Sequence, residues 1–172
     1  MRARALLPLA AAAALAVAAP TATAEPTQSQ KTFTDLLLKD PKTSAGVKRL
    51  LRTKAGIVDP RSGFVDVTGD QRQDAMVLVT TGGAAGTVAL YIFSTHGQAA
   101  DDQQTSLKVL FRLQVLYRAT LRLNGTTVSV TEPLYQRGDD LCCPKQIRTR
   151  DYGFDPARTA FVRTDDRTLD AP

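Results

Sequence analysis

Three short stretches of the chain carry side chains of the kinds that do chemistry. The first reads Asp66-Val-Thr68-Gly-Asp70-Gln71-Arg72-Gln-Asp74. Oxygen-bearing side chains at the first, third, fifth and ninth places of such a loop, with a carbonyl at the seventh, can converge on a hard cation such as calcium. Here the set is incomplete. Thr68 is a poorer ligand than a carboxylate, Gln71 stands where the sharp turn takes glycine, and Val77 stands where a bidentate Glu would close the shell. Calcium held by Asp66, Thr68, Asp70 and Asp74 would bind weakly, in the extracellular affinity range, and no other cofactor is indicated. The competing reading, which the gaps favour, is a turn between strands in which Asp66 and Asp70 accept backbone amides in Asx fashion.

The second stretch, Cys142-Cys143-Pro144, holds both cysteines of the chain. Each has only its neighbour as an intramolecular partner. Adjacent Cα atoms lie about 3.8 Å apart across a trans peptide, short of the roughly 4.4–6.8 Å usual in disulfides. A vicinal bond would close almost no loop and so add little stability by chain entropy. Three states remain open: a structural vicinal disulfide, two free or intermolecular thiols, and a redox switch. A redox-enzyme pair would be spaced Cys-x-x-Cys, and two cysteines with one distant histidine cannot make a four-ligand zinc site.

The third is His96, the one histidine. A Ser-His-acid triad would have to pass through it, yet no serine sits in a Gly-x-Ser-x-Gly elbow, so His96 reads as a solvated loop residue. Gly82, Gly83 and Gly86 lack the Lys-Ser/Thr and the helix of a phosphate loop and read as a turn between strands. An enzyme built from this chain would need carboxylates alone, Asp139 with Asp140 or Asp66 with Asp70, acting on a glycan as an extracellular hydrolase. Adjacent aspartates diverge in a strand, and the chain has no Trp for sugar stacking.

The elements that must position these residues fall into two kinds. Thr34 can cap a helix through Leu36, Leu37 and Leu38 that ends near Asp40-Pro41, because the residue before proline avoids the helical region. Ser44 caps a second, in which Val47, Leu50 and Leu51 make one apolar stripe. From Phe64 the grammar is that of strands: 75–80, 87–93 with apolar residues on both faces, and the alternation of Leu107, Val109, Phe111, Leu113 and Val115 after a polar loop over 97–106. Asn124-Gly125 marks a two-residue hairpin turn placing Leu123 opposite Thr126, Leu121 opposite Val128 and Ala119 opposite Val130. A last pair, 146–154 and 160–163, turns through Asp155-Pro156. The architecture expected is α+β, two short N-terminal helices packed on an antiparallel β-meander sheet, in one domain over 32–172.

Arg2 and Arg4, the apolar run from Ala5 to Ala19 and the closing Ala22-Thr23-Ala24 have the order of a secretory signal peptide cleaved after Ala24. The apolar run falls short of the about 20 residues needed to span a bilayer, and no later stretch reaches that length. Residues 25–31 read as a disordered lead-in. Removing residues 1–24 from 172 leaves 148, with 20 basic and 17 acidic side chains, a net +3 against +5 for the whole chain. That charge is too mild to indicate nucleic acid.

The order Phe64-Val-Asp66-Val-Thr-Gly-Asp70, Asp74-Ala-Met-Val, Gly82-Gly83-x-x-Gly86, Thr131-Glu132-Pro133-x-Tyr135, Gly138-Asp139-x-x-Cys142-Cys143-Pro144 and Tyr152-x-Phe154 resembles small bacterial secreted proteins of the LppP/LprE lipoprotein type. The resemblance spans roughly residues 60–163, and Cys-Cys-Pro is its most specific part. It implies an exported or envelope domain and brings no reaction with it. This chain lacks the lipobox cysteine, with Glu25 at the cleavage point, and Gln71 replaces a glycine common in the aspartate loop. The function expected is that of a secreted, non-enzymatic interaction or structural module contacting an extracellular protein or an anionic wall polymer. Tyr135, Arg137, Lys145, Arg148 and Arg150 are its candidate contact residues.

Overall fold

Thr27 opens the first helix, α1, Gln28–Lys39, with a capping box: its side chain accepts the Gln30 amide at 3.3 Å, and Gln30 Oε1 accepts the Thr27 amide at 2.7 Å. The computed structural model describes residues 25–97 and 107–171, with the backbone alone at 61–64. The signal peptide expected at 1–24 and all but the start of the loop at 97–106 lie outside the described residues. The expected lead-in is therefore corrected, since residues 28–31 are helical. Thr34 lies inside the helix and donates its hydroxyl to the Gln30 carbonyl. The first turn of α1 is polar and carries no apolar period to announce it, but its cap pair, Thr27 and Gln30, does. Asp40, just before Pro41, ends the helix. Helix α2, Ala45–Arg52, starts where expected, with Ser44 Oγ accepting the Val47 amide.

Eight strands follow: β1 Gly56–Val65, β2 Asp74–Thr81, β3 Thr87–Ser94, β4 Lys108–Leu113, β5 Thr120–Asn124, β6 Thr127–Leu134, β7 Gln146–Asp155 and β8 Ala160–Asp170. They form two antiparallel sheets in sequence order, β1-β2-β3-β4 and β5-β6-β7-β8. The single meander of the sequence reading is thus two. The expected strands begin only at Phe64, so the first half of β1, which contains Pro60, is additional. Pro60 is tolerated here because β1 is an edge strand whose register shifts between Pro60 and Phe64.

Sheet β1–β4 is the middle of three layers. Ala75, Val77, Val79, Ala89, Tyr91 and Phe93 join Phe33 and Leu37 of α1 and Val47 and Leu51 of α2 in one buried cluster, with the Phe33 and Phe93 rings 5.1 Å apart. The opposite face contributes Leu78, Leu90 and Ile92 to a second cluster with Val128, Val130, Tyr152 and Phe161 of the other sheet. Period-two alternation sends neighbouring residues of β3 into different cores, which is why that strand is apolar throughout. Each fully buried Leu, Ile or Val contributes about 1.5–3 kcal/mol.

Two register details differ from expectation. The hairpin pairs Asn124 with Thr127, Leu123 with Val128 and Leu121 with Val130, so the turn residues are Gly125-Thr126 and not Asn124-Gly125. Gly125 takes the first central position with φ +59°, the place where a type II′ turn has its glycine. The shift is an even one, so the apolar and polar faces stay as read. The alternation from Leu107 to Val115 does not keep to one face: the register shift between Ile92 and Phe93 sets Leu107 and Val109 against the helix-side core and Phe111 and Leu113 against the core between the sheets, while Val115, beyond the end of β4, is 94% exposed.

Candidate functional site

Antiparallel meanders collect alternate connections at opposite ends of the molecule, and the sequence-marked residues divide between those ends. At one end lies the Asp66–Asp74 turn. Asp66 Oδ1 accepts the Gly69 and Asp70 amides at 2.6 and 3.2 Å, and its Oδ2 accepts the Gln71 amide at 2.8 Å. Asp74 is buried, and its Oδ2 accepts the amides of Val67 and Thr68 at 2.9 and 3.0 Å. Asp70 Oδ1 accepts the Arg72 amide. Gly69 and Gln71 both have positive φ, so the turn closes with Gln71 in the left-handed region, where glycine would be at ease. These carboxylates hold backbone amides, as the Asx reading has it, and among the described residues Thr68 bonds to Asp66 and Asp74 of the same turn. Among the described residues no three His, Cys, Asp or Glu side chains group so as to hold a metal ion.

His96 is not a solvated loop residue. Its Nδ1 lies 2.9 Å from Asp70 Oδ2, its ring meets Phe154 edge-on at 4.8 Å, and its amide donates to Ser94 Oγ. Burial raises the Asp70 carboxyl pKa, but the Arg72 amide, His96 and Thr68 outweigh it and hold it below the ordinary value. An ionised Asp70 can only accept, so Nδ1–H is the donor. The pair ties the β1–β2 turn to the end of β3, and Arg72 Nη1 adds a bond to the Thr95 carbonyl. No motif shows this link, because 26 residues separate its partners.

At the other end three connections meet on Arg118, a residue without any sequence signal. Its φ is +50°, a conformation costing a non-glycine residue about 1–2 kcal/mol. Its amide donates to the Ala85 carbonyl in the β2–β3 turn at 2.8 Å. Its Nη1 donates to Tyr135 Oη and to the Leu141 carbonyl, at 2.7 and 2.6 Å, and Tyr135 donates its hydroxyl to the same carbonyl. The Tyr117 ring stands edge-on to Tyr135, 5.8 Å away, and the Tyr117 amide donates to Glu132. Buried Leu116 and Ala119 pin the β4–β5 connection from beneath. Exposed around this frame are Val115, Leu141 at 73%, Tyr117 at 36%, Cys142 and Cys143, with polar Gln136, Arg137 and Asp140 among them.

Cys142 and Cys143 form a vicinal disulfide with Cα atoms 3.8 Å apart. The loop around it is closed by Gly138 at φ +95°, by the Asp139 amide donating to the Gln136 carbonyl and by the Cys143 amide donating to the Asp140 carbonyl. The Gln136 amide, ahead of the Lys145 ammonium, holds the Asp139 carboxyl below its usual value, so Asp139 is a loop fastener like Asp66.

The other contact candidates fare differently. Tyr135 belongs to the Arg118 frame, and Arg137 is exposed beside it. Lys145 pairs with Asp139. Arg148 makes a two-pronged bond with Asp166, and Arg150 is paired with Glu132. The basic strand is thus neutralised across β6–β7–β8, where Arg163 also reaches Asp166 and Arg167 reaches Asp151 and Asp165. β8 runs to Asp170, past the expected end at Arg163; its exposed remainder carries Asp165, Asp166, Arg167 and Asp170 in place of an apolar alternation, and such charges shield a sheet edge.

No protein-family model, no curated protein and no solved structure matches this chain. No helix among the described residues is long and apolar enough to cross a membrane.

Proposed function

We propose that the chain is an exported, non-enzymatic interaction module that binds a partner protein through the end carrying Val115, Tyr117, Tyr135, Leu141 and the vicinal disulfide. The observation that carries this reading is that Arg118 bonds to the β2–β3 turn and to the 135–145 connection beside exposed apolar side chains. Exposed apolar groups on a preorganised frame lower the ordering cost of association, and aromatic anchors dominate such contacts. A protein suits this surface better than an anionic wall polymer, since Arg148 and Arg150 already have internal carboxylate partners. The signal-like N-terminus and the resemblance to LppP/LprE-type proteins support an envelope or extracellular setting, without a lipid anchor at Glu25. The Asp66, Asp70 and Asp139 carboxylates each hold loop amides, which speaks against the hydrolase.

The test is competition. Fluorescently labelled mature protein is added to intact cells that export it, and unlabelled wild-type protein must displace it. Leu141→Asp protein, folded by circular dichroism, must fail to do so at tenfold higher concentration, for an expected loss of about 2 kcal/mol or more. Equal displacement by both proteins removes this end as the binding surface.

A further inference from the structure

The disulfide in this surface closes across one peptide bond, and that connectivity sets it apart from a staple. Both cysteines lie on the exposed 135–145 connection, while the strand pairing of β6 with β7 begins at Leu134 and Gln146 and does not pass through them. Closing so short a loop constrains the unfolded chain very little, so breaking the bond leaves the global fold standing. With no other cysteine in the chain, the pair exchanges only with thiols outside it. Exposed disulfides are the ones open to such exchange. The residue immediately before Cys142 is Leu141, whose carbonyl receives both Arg118 and Tyr135. A change in backbone freedom at Cys142 therefore reaches the atom that holds the two loops together.

Resting on the reading of this end as the binding surface, we propose that Cys142–Cys143 is a reversible redox site that controls it, reduced by thiols of low molecular weight. An external thiolate attacks one sulfur and the intramolecular S–S bond breaks. A mixed disulfide forms, and the neighbouring sulfur leaves as thiolate and takes up a proton. A second external thiolate attacks the external sulfur of the mixed disulfide, and the remaining protein sulfur leaves and is protonated. Two thiols become one external disulfide, and two electrons pass to the protein. The oxidised loop holds Leu141 against Arg118; the reduced loop releases it and dissolves the ordered apolar surface.

The experiment uses oxidised mature protein in glutathione buffers of stepped ratio, trapped by alkylation for intact mass, with amide spectra and thermal melts taken alongside. Expected are two alkyl groups on most molecules in excess reduced glutathione, reversal on adding oxidised glutathione, shifted amides at Tyr117, Arg118, Tyr135 and Leu141, and an unchanged melting temperature. The Cys142→Ser/Cys143→Ser protein must show the same amide positions as reduced wild type. The proposal is overturned by a bond that resists glutathione until denaturant is added, by a melting temperature that drops sharply on reduction, or by reduction that leaves those four amides unmoved. No partner is present, so failure of the cell-binding competition would overturn the function and leave this result intact.

Discussion

At the scale of single residues, the two ends of the molecule use the same device, a side chain that gathers backbone groups. Asp74 is the most committed of these. Asp74→Ala orphans the amides of Val67 and Thr68 and costs about 3 kcal/mol, whereas Asp74→Asn keeps one acceptor and costs less, as urea midpoints would show. His96→Ala releases Asp70 and speeds hydrogen exchange of the Arg72 amide, with a loss of about 1 kcal/mol; unchanged exchange there would contradict the link. Asp40, bonded to the Lys42 amide and to Arg112, also has a lowered carboxyl pKa although burial opposes it, as does Asp151 beside Ser129 and Arg167. The folded-state values lie below those of the unfolded chain. Their stabilisation is complete above the ordinary carboxylate range near 4 and is lost as pH falls through the lowered values. Urea midpoints should fall steeply as pH drops below about 4.

At the scale of elements, caps and turns were legible where a short-range rule governs them. Ser44 and the Asp40-Pro41 stop could be read because capping and the residue before proline act over one to three positions. Ser44→Ala should cost about 1 kcal/mol in a thermal melt. The hairpin around Gly125 was legible to within one residue, since a glycine at positive φ marks a turn but not which of two turn types uses it. Arg118 gave no signal, because arginine in a left-handed conformation is sustained only by its distant bonds to Ala85, Tyr135 and Leu141. Arg118→Gly relieves the backbone strain while cutting the side-chain bonds, so it leaves global stability within about 1 kcal/mol but raises hydrogen exchange across residues 135–143. Arg118→Ala keeps the strain, loses the bonds and is the less stable of the two.

At the scale of the whole molecule, the layers follow from strand β3. Its apolar residues on both sides demanded two covers, and the sequence named one, the helices. The second cover was hidden because β5–β8 shows its own polar face, Thr120, Arg122, Ser129 and Thr131, and reads equally well as a continuation of one sheet. Ile92→Ala, in the core between the sheets, should cost about 2–5 kcal/mol and lower the unfolding midpoint of both sheets together, followed by amide exchange in β2 and β6. Separate midpoints would mean that the sheets do not share a core. The candidate site was legible only as parts, Tyr135, Arg137 and the cysteine pair. What joins them is tertiary, and so is the ion pairing that withdraws Arg148 and Arg150.

The most direct measurement compares the two ends. A photoreactive amino acid is placed at Tyr117 in one preparation and at exposed Arg158, in the β7–β8 turn at the opposite end, in another. Both are irradiated on intact exporting cells. A discrete adduct is expected from position 117, abolished by excess unlabelled wild-type protein, and none from position 158. A competable adduct at 158 with none at 117 would contradict this placement of the binding surface.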